Sequence, residues 1–238
     1  EREFWQRKNR AAQIQKNRQD HLGMGWANHD HHTFRSCRTH FHQLVNLWKK
    51  FGFICRERFY AGEEAGWGAQ VVENSTCGLT CFLDVDLSPE EISIDFANQP
   101  LEERSHLGTI GLWCALHGDS IFQSGMHHLE AQFEFNHLTQ ELAKHGIGMM
   151  APFSNFEYLK QAFTNGEIWP VSPKRVQKLI DRKSISPEQG KKFLSEGALG
   201  SHLENLQRHE GFKGFNQKNV SFIIRKTDPR TVSETAGA

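Results

Sequence analysis

The sequence predicts an α+β fold made of two βαβββ modules. Two observations carry this. A strand-like run, an amphipathic helix and three more strand-like runs follow one another over residues 28–86. A strand-then-helix order then returns after Gly125. The spacing is too irregular for a solenoid, so a pseudo-duplication is the economical reading. A third observation concerns the core: Phe is 18 against Tyr 2, which suggests a dry aromatic interior.

Residues 1–22 read as one helix, with Phe4, Trp5, Ala11, Ala12 and Ile14 at roughly helical spacing and Gly23 and Gly25 as breakers. "NHDHHTFRS" is the first strand. "THFHQLVNLWKKFGF" is an amphipathic helix stopped by Gly52. "FICRERFYA", "GAQVVEN" and "CGLTCFLDVDL" complete the first module, residues 26–87. A connector spans 88–124. In it, Ser88, Pro89 and Glu91 offer a helix start, and "LGTIGLWCALHG" reads as a short buried helix.

The second module covers about 125–228. "GMHHLEAQFEF" alternates like a strand and "NHLTQELAKHGI" is a helix. "GIGMMAPF" and "LKQAFTNGE" read as strands, "SPKRVQKLIDRK" as a helix and "LGSHLENLQR" as a strand. Residues 1–230 are read as a single catalytic domain, and 229–238 as a disordered tail.

Composition narrows the function. The chain has 238 residues, with 28 Lys+Arg against 28 Asp+Glu. A net charge of zero offers no field toward nucleic acid or an anionic membrane, so neither is expected as a partner. No apolar run approaches the ~20 residues of a membrane helix, and the polar start lacks the apolar block of a signal peptide. Five cysteines without a CxxC pair fit free thiols in a reducing cytoplasm better than a disulfide or zinc scaffold. "GFKGFNQKNV" lacks the strand–turn–helix context of a nucleotide site. The oligomeric state is not legible.

Histidine is the outlier, with 14 residues. In a strand, alternate side chains share a face. In "DHHTFR", His31, Thr33 and Arg35 therefore face one way, and His32 and Phe34 the other. In "HHLEAQFEF", His128, Glu130, Gln132 and Glu134 oppose the apolar set of His127, Leu129, Ala131, Phe133 and Phe135. Each strand presents one histidine on a polar face. Two such faces turned to one cavity bring the imidazoles together; a half-wet antiparallel sheet shows the same alternation.

These motifs resemble a known family. "DHHTFR" resembles the Asp-His-x-x-Phe-Arg motif of the 2-oxoadipate dioxygenase/decarboxylases, also called hydroxyglutarate synthases. "HHLEAQ" is similar to their second motif, and "FTNGE" with "HLENLQRHEGFKGFNQKNV" to their C-terminal pattern. The likeness spans about Trp5 to Arg230. It implies a vicinal-oxygen-chelate fold, an open barrel around Fe(II). Carried across, the metal ligands are His31, His128 and Glu204, and the substrate-binding arginine is Arg35. Glu130 stands where the family usually has Thr, and the chain is shorter than the longer members.

The resemblance implies a 2-oxo acid and O2 as reactants, with a 2-oxoadipate-like acid giving 2-hydroxyglutarate and CO2. Two histidines and a carboxylate with open positions are typical of non-haem Fe(II) oxygenases. Zn, Ni or Mn are possible in the purified protein. Two rival readings remain at this level: a glyoxalase-like metal-dependent lyase or isomerase that needs no O2, and a small-acid binding protein. For Arg35 the rival is a salt bridge to Asp30 or another acid. Glu196 and Glu210 compete with Glu204. Cys37 reads as a buried thiol rather than a nucleophile. His202 shares the strand face of Glu204 and is a candidate to orient a ligand. No role is assigned to Glu130 or Gln132.

Overall fold

The structure is a computed structural model that describes residues 1–208 and 223–231. Helices α1 (Arg2–Gln6) and α2 (Arg10–His21) open the chain. The first module follows as β1 (His29–Arg35), α3 (Phe41–Lys50), β2 (Ile54–Tyr60), β3 (Trp67–Asn74) and β4 (Leu79–Asp86). The connector carries α4 (Thr109–His117). The second module begins with β5 (His128–Gln132), α5 (Phe135–Lys144), β6 (Ser154–Phe156) and β7 (Leu159–Phe163). It takes in an insertion of β8 (Glu167–Trp169), α6 (Pro173–Asp181) and α7 (Pro187–Glu196), and closes with the long strand β9 (Ala198–Arg208).

The strands form one open sheet in the order β2-β3-β4-β1-β5-β9-β7-β6, with β8 added to the start of β9. Each module has the same connectivity. Its first strand runs parallel to its last, β1 with β4 and β5 with β9, and the middle pair extends outward antiparallel. The modules meet through the antiparallel pair β1–β5, which pairs His31 with Glu130 and Thr33 with His128.

Strand alternation sets the two faces. Phe34, Cys81, Leu83, Val85, Leu129 and Leu203 turn to one side and bury themselves against α2, α3 and α5, with Phe41, Leu44, Val45, Leu138 and Leu142 opposite. The other face is lined by Trp67, Ala69, Trp113, Phe153, Phe163 and Ile224 and carries the polar residues treated below. Close packing leaves little slack. A Cβ on Gly200 would lie 2.0 Å from the Trp169 ring.

Four expectations change. The N-terminal helix is two helices, because Asn9 leaves helical geometry and its side chain accepts the Ala12 N–H while donating to Ser201 Oγ. Ser88 and Glu91 do form a capping box, but only one 3₁₀ turn follows; Glu91 pairs with Arg38 and Arg104, and Phe96 and Ala97 turn into the core. "GIGMMAPF" is not a strand. It makes one bridge, Met149 to Thr164, because Gly146 takes φ +74° and turns the chain at the end of α5. Residues 229–231 form a hydrogen-bonded turn, with Thr231 Oγ1 donating to Arg225 and Asp228 carbonyls. Residues 232–238 lie outside the described residues, as do "GFKGFNQKNV", His209 and Glu210.

Candidate metal centre

The three histidine and glutamate candidates sit on adjacent strands at the centre of the sheet. His31 is on β1, His128 on β5 and Glu204 on β9; all are buried, and one ligand atom from each lies within 4.8 Å of the others. Glu204 Oε2 is 3.1 Å from His128 Nε2 and 3.9 Å from His31 Nε2. Of the rivals, Glu196 is exposed at the end of α7.

Pseudo-symmetry explains why the set has three members. The β1–β5 register makes His31 and His128 equivalent positions. His31 pairs with Thr80 across β1–β4, and His128 with His202 across β5–β9. Two residues further along, Phe82 and Glu204 are equivalent. The second module supplies a carboxylate where the first supplies a phenyl ring, which lies 4.5 Å from the His31 ring. Three donors therefore converge, and the fourth symmetry-related position is apolar.

Neighbours fix the orientation of each donor. His31 Nδ1 lies 3.1 Å from Glu130 Oε1 and 3.5 Å from Asp30 Oδ2, so Nε2 is the nitrogen turned to Glu204. Asp30 in turn accepts from Arg208 at 2.6 Å and from Gln132 at 2.8 Å. Gln161 on β7 donates from one Nε2 to Glu130 Oε2 at 2.8 Å and to Glu204 Oε1 at 2.9 Å. This occupies Oε1 of Glu204 and leaves Oε2 facing the imidazoles. His128 Nδ1 meets His127 Nδ1 at 2.9 Å, so only one of these nitrogens carries a proton. If it is on His128, Nε2 presents its lone pair to the cavity. Thr33 Oγ1, 2.9 Å away, can donate to it.

Burial and neighbouring charges shift every titratable group of the cluster. Burial raises Glu130 to about 8, helped by the nearby Glu204 charge. Burial also raises Glu204, against the pull of His31 and the Gln161 hydrogen bond. Burial keeps His127 and His128 well below the usual histidine range, hence neutral. For His31, burial works the same way but is outweighed by Glu130, Asp30 and Glu204, and its imidazole is pushed up. Two buried carboxyls and two outward ring nitrogens suit a divalent ion, and the residues present fit one.

Arg35 shares the face of His31 and Thr33 and points into the same cavity, whose volume is about 70 Å³. It makes no ion pair with Asp30. Its guanidinium lies 5.4 Å from the Trp113 ring, with Asp84 as the foremost opposing charge. Burial pulls Arg35 down to about 10 and pushes Asp84 up to about 7. Nε and Nη1 of Arg35 have no hydrogen-bond partner among the described residues. Buried guanidinium donors without partners are costly.

Sequence reasoning missed Gln161 and left Glu130 without a role. Glu130 was on the right face by alternation; Gln161 sat in a strand with no motif. Of the other histidines, His202 is fully buried, stacks on Phe163 at 4.8 Å and bonds the Thr164 carbonyl rather than a ligand. His117 bonds the Leu199 carbonyl.

The paired βαβββ topology is the vicinal-oxygen-chelate arrangement. No family model and no curated protein matches the sequence. Among solved structures, a candidate hydrolase from Shewanella frigidimarina NCIMB 400 aligns over 90% of this chain and 92% of its own, at 14% identity and TM-score 0.58. Methylmalonyl-CoA epimerase from Mycobacterium tuberculosis aligns over 77% and 89%, at 10% identity and TM-score 0.41. A triple mutant of 4-hydroxymandelate synthase from Streptomyces coelicolor aligns over 87% of this chain and 53% of its own, at 16% identity and TM-score 0.46. At these identities the likeness concerns the fold alone.

Proposed function

We propose that the protein is a non-haem Fe(II) dioxygenase that decarboxylates a 2-oxo acid, with His31, His128 and Glu204 as the metal ligands. The observation that carries this reading is the apolar residue Phe82 at the fourth symmetry-related position. A three-donor face leaves coordination positions for a chelating substrate and O2, as oxygen chemistry needs. When bound, Fe(II) supplies the site where O2 and a 2-oxo acid are activated together.

The chain's own residues do the rest. Arg35 binds a substrate carboxylate with its unpartnered donors. Glu130 and Asp30 hold His31 by Nδ1, and Gln161 holds Glu204 by Oε1. Phe59, Phe82, Phe153 and Phe163 keep bulk water from the cavity. A series of 2-oxo acids of different length tests how much of this cavity the substrate fills.

The test is O2 uptake by the Fe(II)-loaded protein over a series of 2-oxo acids from three to six carbons, 2-oxoadipate included. The expected result is O2 consumption with equimolar CO2, and for 2-oxoadipate a 2-hydroxyglutarate product. Turnover under strict anoxia would instead show a glyoxalase-like lyase or isomerase. Binding without turnover for every metal and acid would leave a binding protein.

A further inference from the structure

A second cluster of donors lies outside this centre. Cys37 follows β1, and His40 precedes α3. Asp119 follows α4 in the connector. Cys37 Sγ, His40 Nδ1 and Asp119 Oδ2 form a nearly equilateral triangle: sulfur to nitrogen, sulfur to oxygen and nitrogen to oxygen are each 3.2 Å. Tetrahedral zinc with Zn–S of about 2.3 Å and Zn–N or Zn–O of about 2.0–2.1 Å has edges of roughly 3.3–3.6 Å. The triangle is one face of such a tetrahedron, drawn in by about 0.1–0.4 Å, most along the two edges to sulfur.

The site is built rather than incidental. Asp119 Oδ1 accepts the Cys37 backbone N–H at 3.2 Å, which turns Oδ2 to the thiol and imidazole. Ser36 Oγ donates to Oδ2 at 3.3 Å, and Thr39 Oγ1 lies 3.4 Å from the sulfur. A single carboxylate oxygen thus faces three possible donors. The thiol and His40 Nδ1 lie 3.2 Å apart, with donor and acceptor set by the histidine tautomer, and no tautomer serves all three contacts at once with one proton on sulfur and one on the ring. One cation at the centre satisfies all three lone pairs together.

We propose that Cys37, His40 and Asp119 bind a zinc ion, with its fourth position open. All three residues line a cavity of about 800 Å³, together with Arg104, Arg175 and Lys178. Thiolate and imidazole select a borderline-soft ion over Mg²⁺ or Ca²⁺. Binding releases the thiol proton to solvent and leaves the oxidation state of sulfur and metal unchanged. The ion ties the end of β1, two residues beyond Arg35, to the connector that leads into β5. The site is independent of the His31–His128–Glu204 reading.

The test is a Co(II) titration of the full chain, followed by near-ultraviolet sulfur-to-metal charge-transfer absorption. The wild type and His31→Ala should both show the band. Cys37→Ser should lose it, and Asp119→Asn should weaken Co(II) binding at least tenfold. In the unsubstituted protein, Zn(II) should slow alkylation of Cys37 at least tenfold, read by peptide mass, and leave the exposed Cys55 and Cys77 unchanged. The proposal is overturned if the wild type shows no band, if Cys37→Ser keeps it, or if zinc protects no thiol or protects all three equally.

Discussion

Gln161→Leu removes the bridge between the two buried carboxylates while keeping nearly the same volume. Two hydrogen bonds are lost, one at 2.8 Å to Glu130, which burial holds largely neutral at pH 7, and one at 2.9 Å to Glu204. A neutral bond is worth about 0.5–1.5 kcal/mol and a charged one about 1.5–3, or about 3 kcal/mol together. Against this, Gln161 Oε1 is buried without a partner among the described residues, and deleting it recovers about 1–2 kcal/mol. The net expectation is a metal-free protein about 1–2 kcal/mol less stable. The same change frees Oε1 of Glu204 to rotate, and loss of an orienting partner lowers metal affinity by about 10–100-fold. Urea unfolding in chelator gives the first number, and Fe(II) or Zn(II) titration the second. A variant as stable as the wild type with unchanged affinity would refute the idea that Gln161 presets the carboxylate.

Arg35→Met should leave metal binding within a few-fold and weaken binding of a 2-oxo acid by about 10-fold or more, since a charged hydrogen bond contributes about 1.5–3 kcal/mol; calorimetry on the metal-loaded protein decides, and equal affinity contradicts the carboxylate role. Glu91 is held down to about 2, because its bonds to Arg38 and Ser88 outweigh the opposing effect of burial. A depressed carboxyl stabilises the fold above its unfolded value of about 4.5 and loses that contribution as pH falls through 2. Glu91→Gln should therefore cost about 2 kcal/mol at pH 7, after a discount for partial exposure, and the gap to the wild type should shrink below pH 4.5 in pH-resolved denaturation. Gly200→Ala should cost at least about 1–3 kcal/mol, because the new methyl overlaps the Trp169 ring; an unchanged melting temperature would show the ring free to move.

Much of the fold was legible because its signals are local. Alternation in "DHHTFR" placed His31, Thr33 and Arg35 on one face, and they line one cavity. Alternation in "HHLEAQ" likewise separated His128 from Leu129. The amphipathic helices and their glycine stops fell within a residue or two. What failed depends on tertiary partners. Asn9 splits the first helix because Ser201, far along the chain, holds its side chain. The turn after Ser88 ends early because Arg38 takes Glu91. The cap Ser186 with Gln189 opens α7 and is a local signal that the sequence reading passed over. Glu204 came from the family resemblance, and no spacing rule reaches it from His31. Gln161 was invisible, since its role exists only where β7, paired with β9, brings it against two carboxyls from other strands.

The most direct measurement is an anomalous-scattering map, recorded at the iron edge, from crystals grown with Fe(II) under anoxia. The predicted result is one peak about 2.0–2.2 Å from His31 Nε2, His128 Nε2 and Glu204 Oε2, with at least two further positions held by water or a 2-oxo acid. Absence of a peak there at full Fe(II) loading, or a peak bound by Glu130 in place of Glu204, would contradict it.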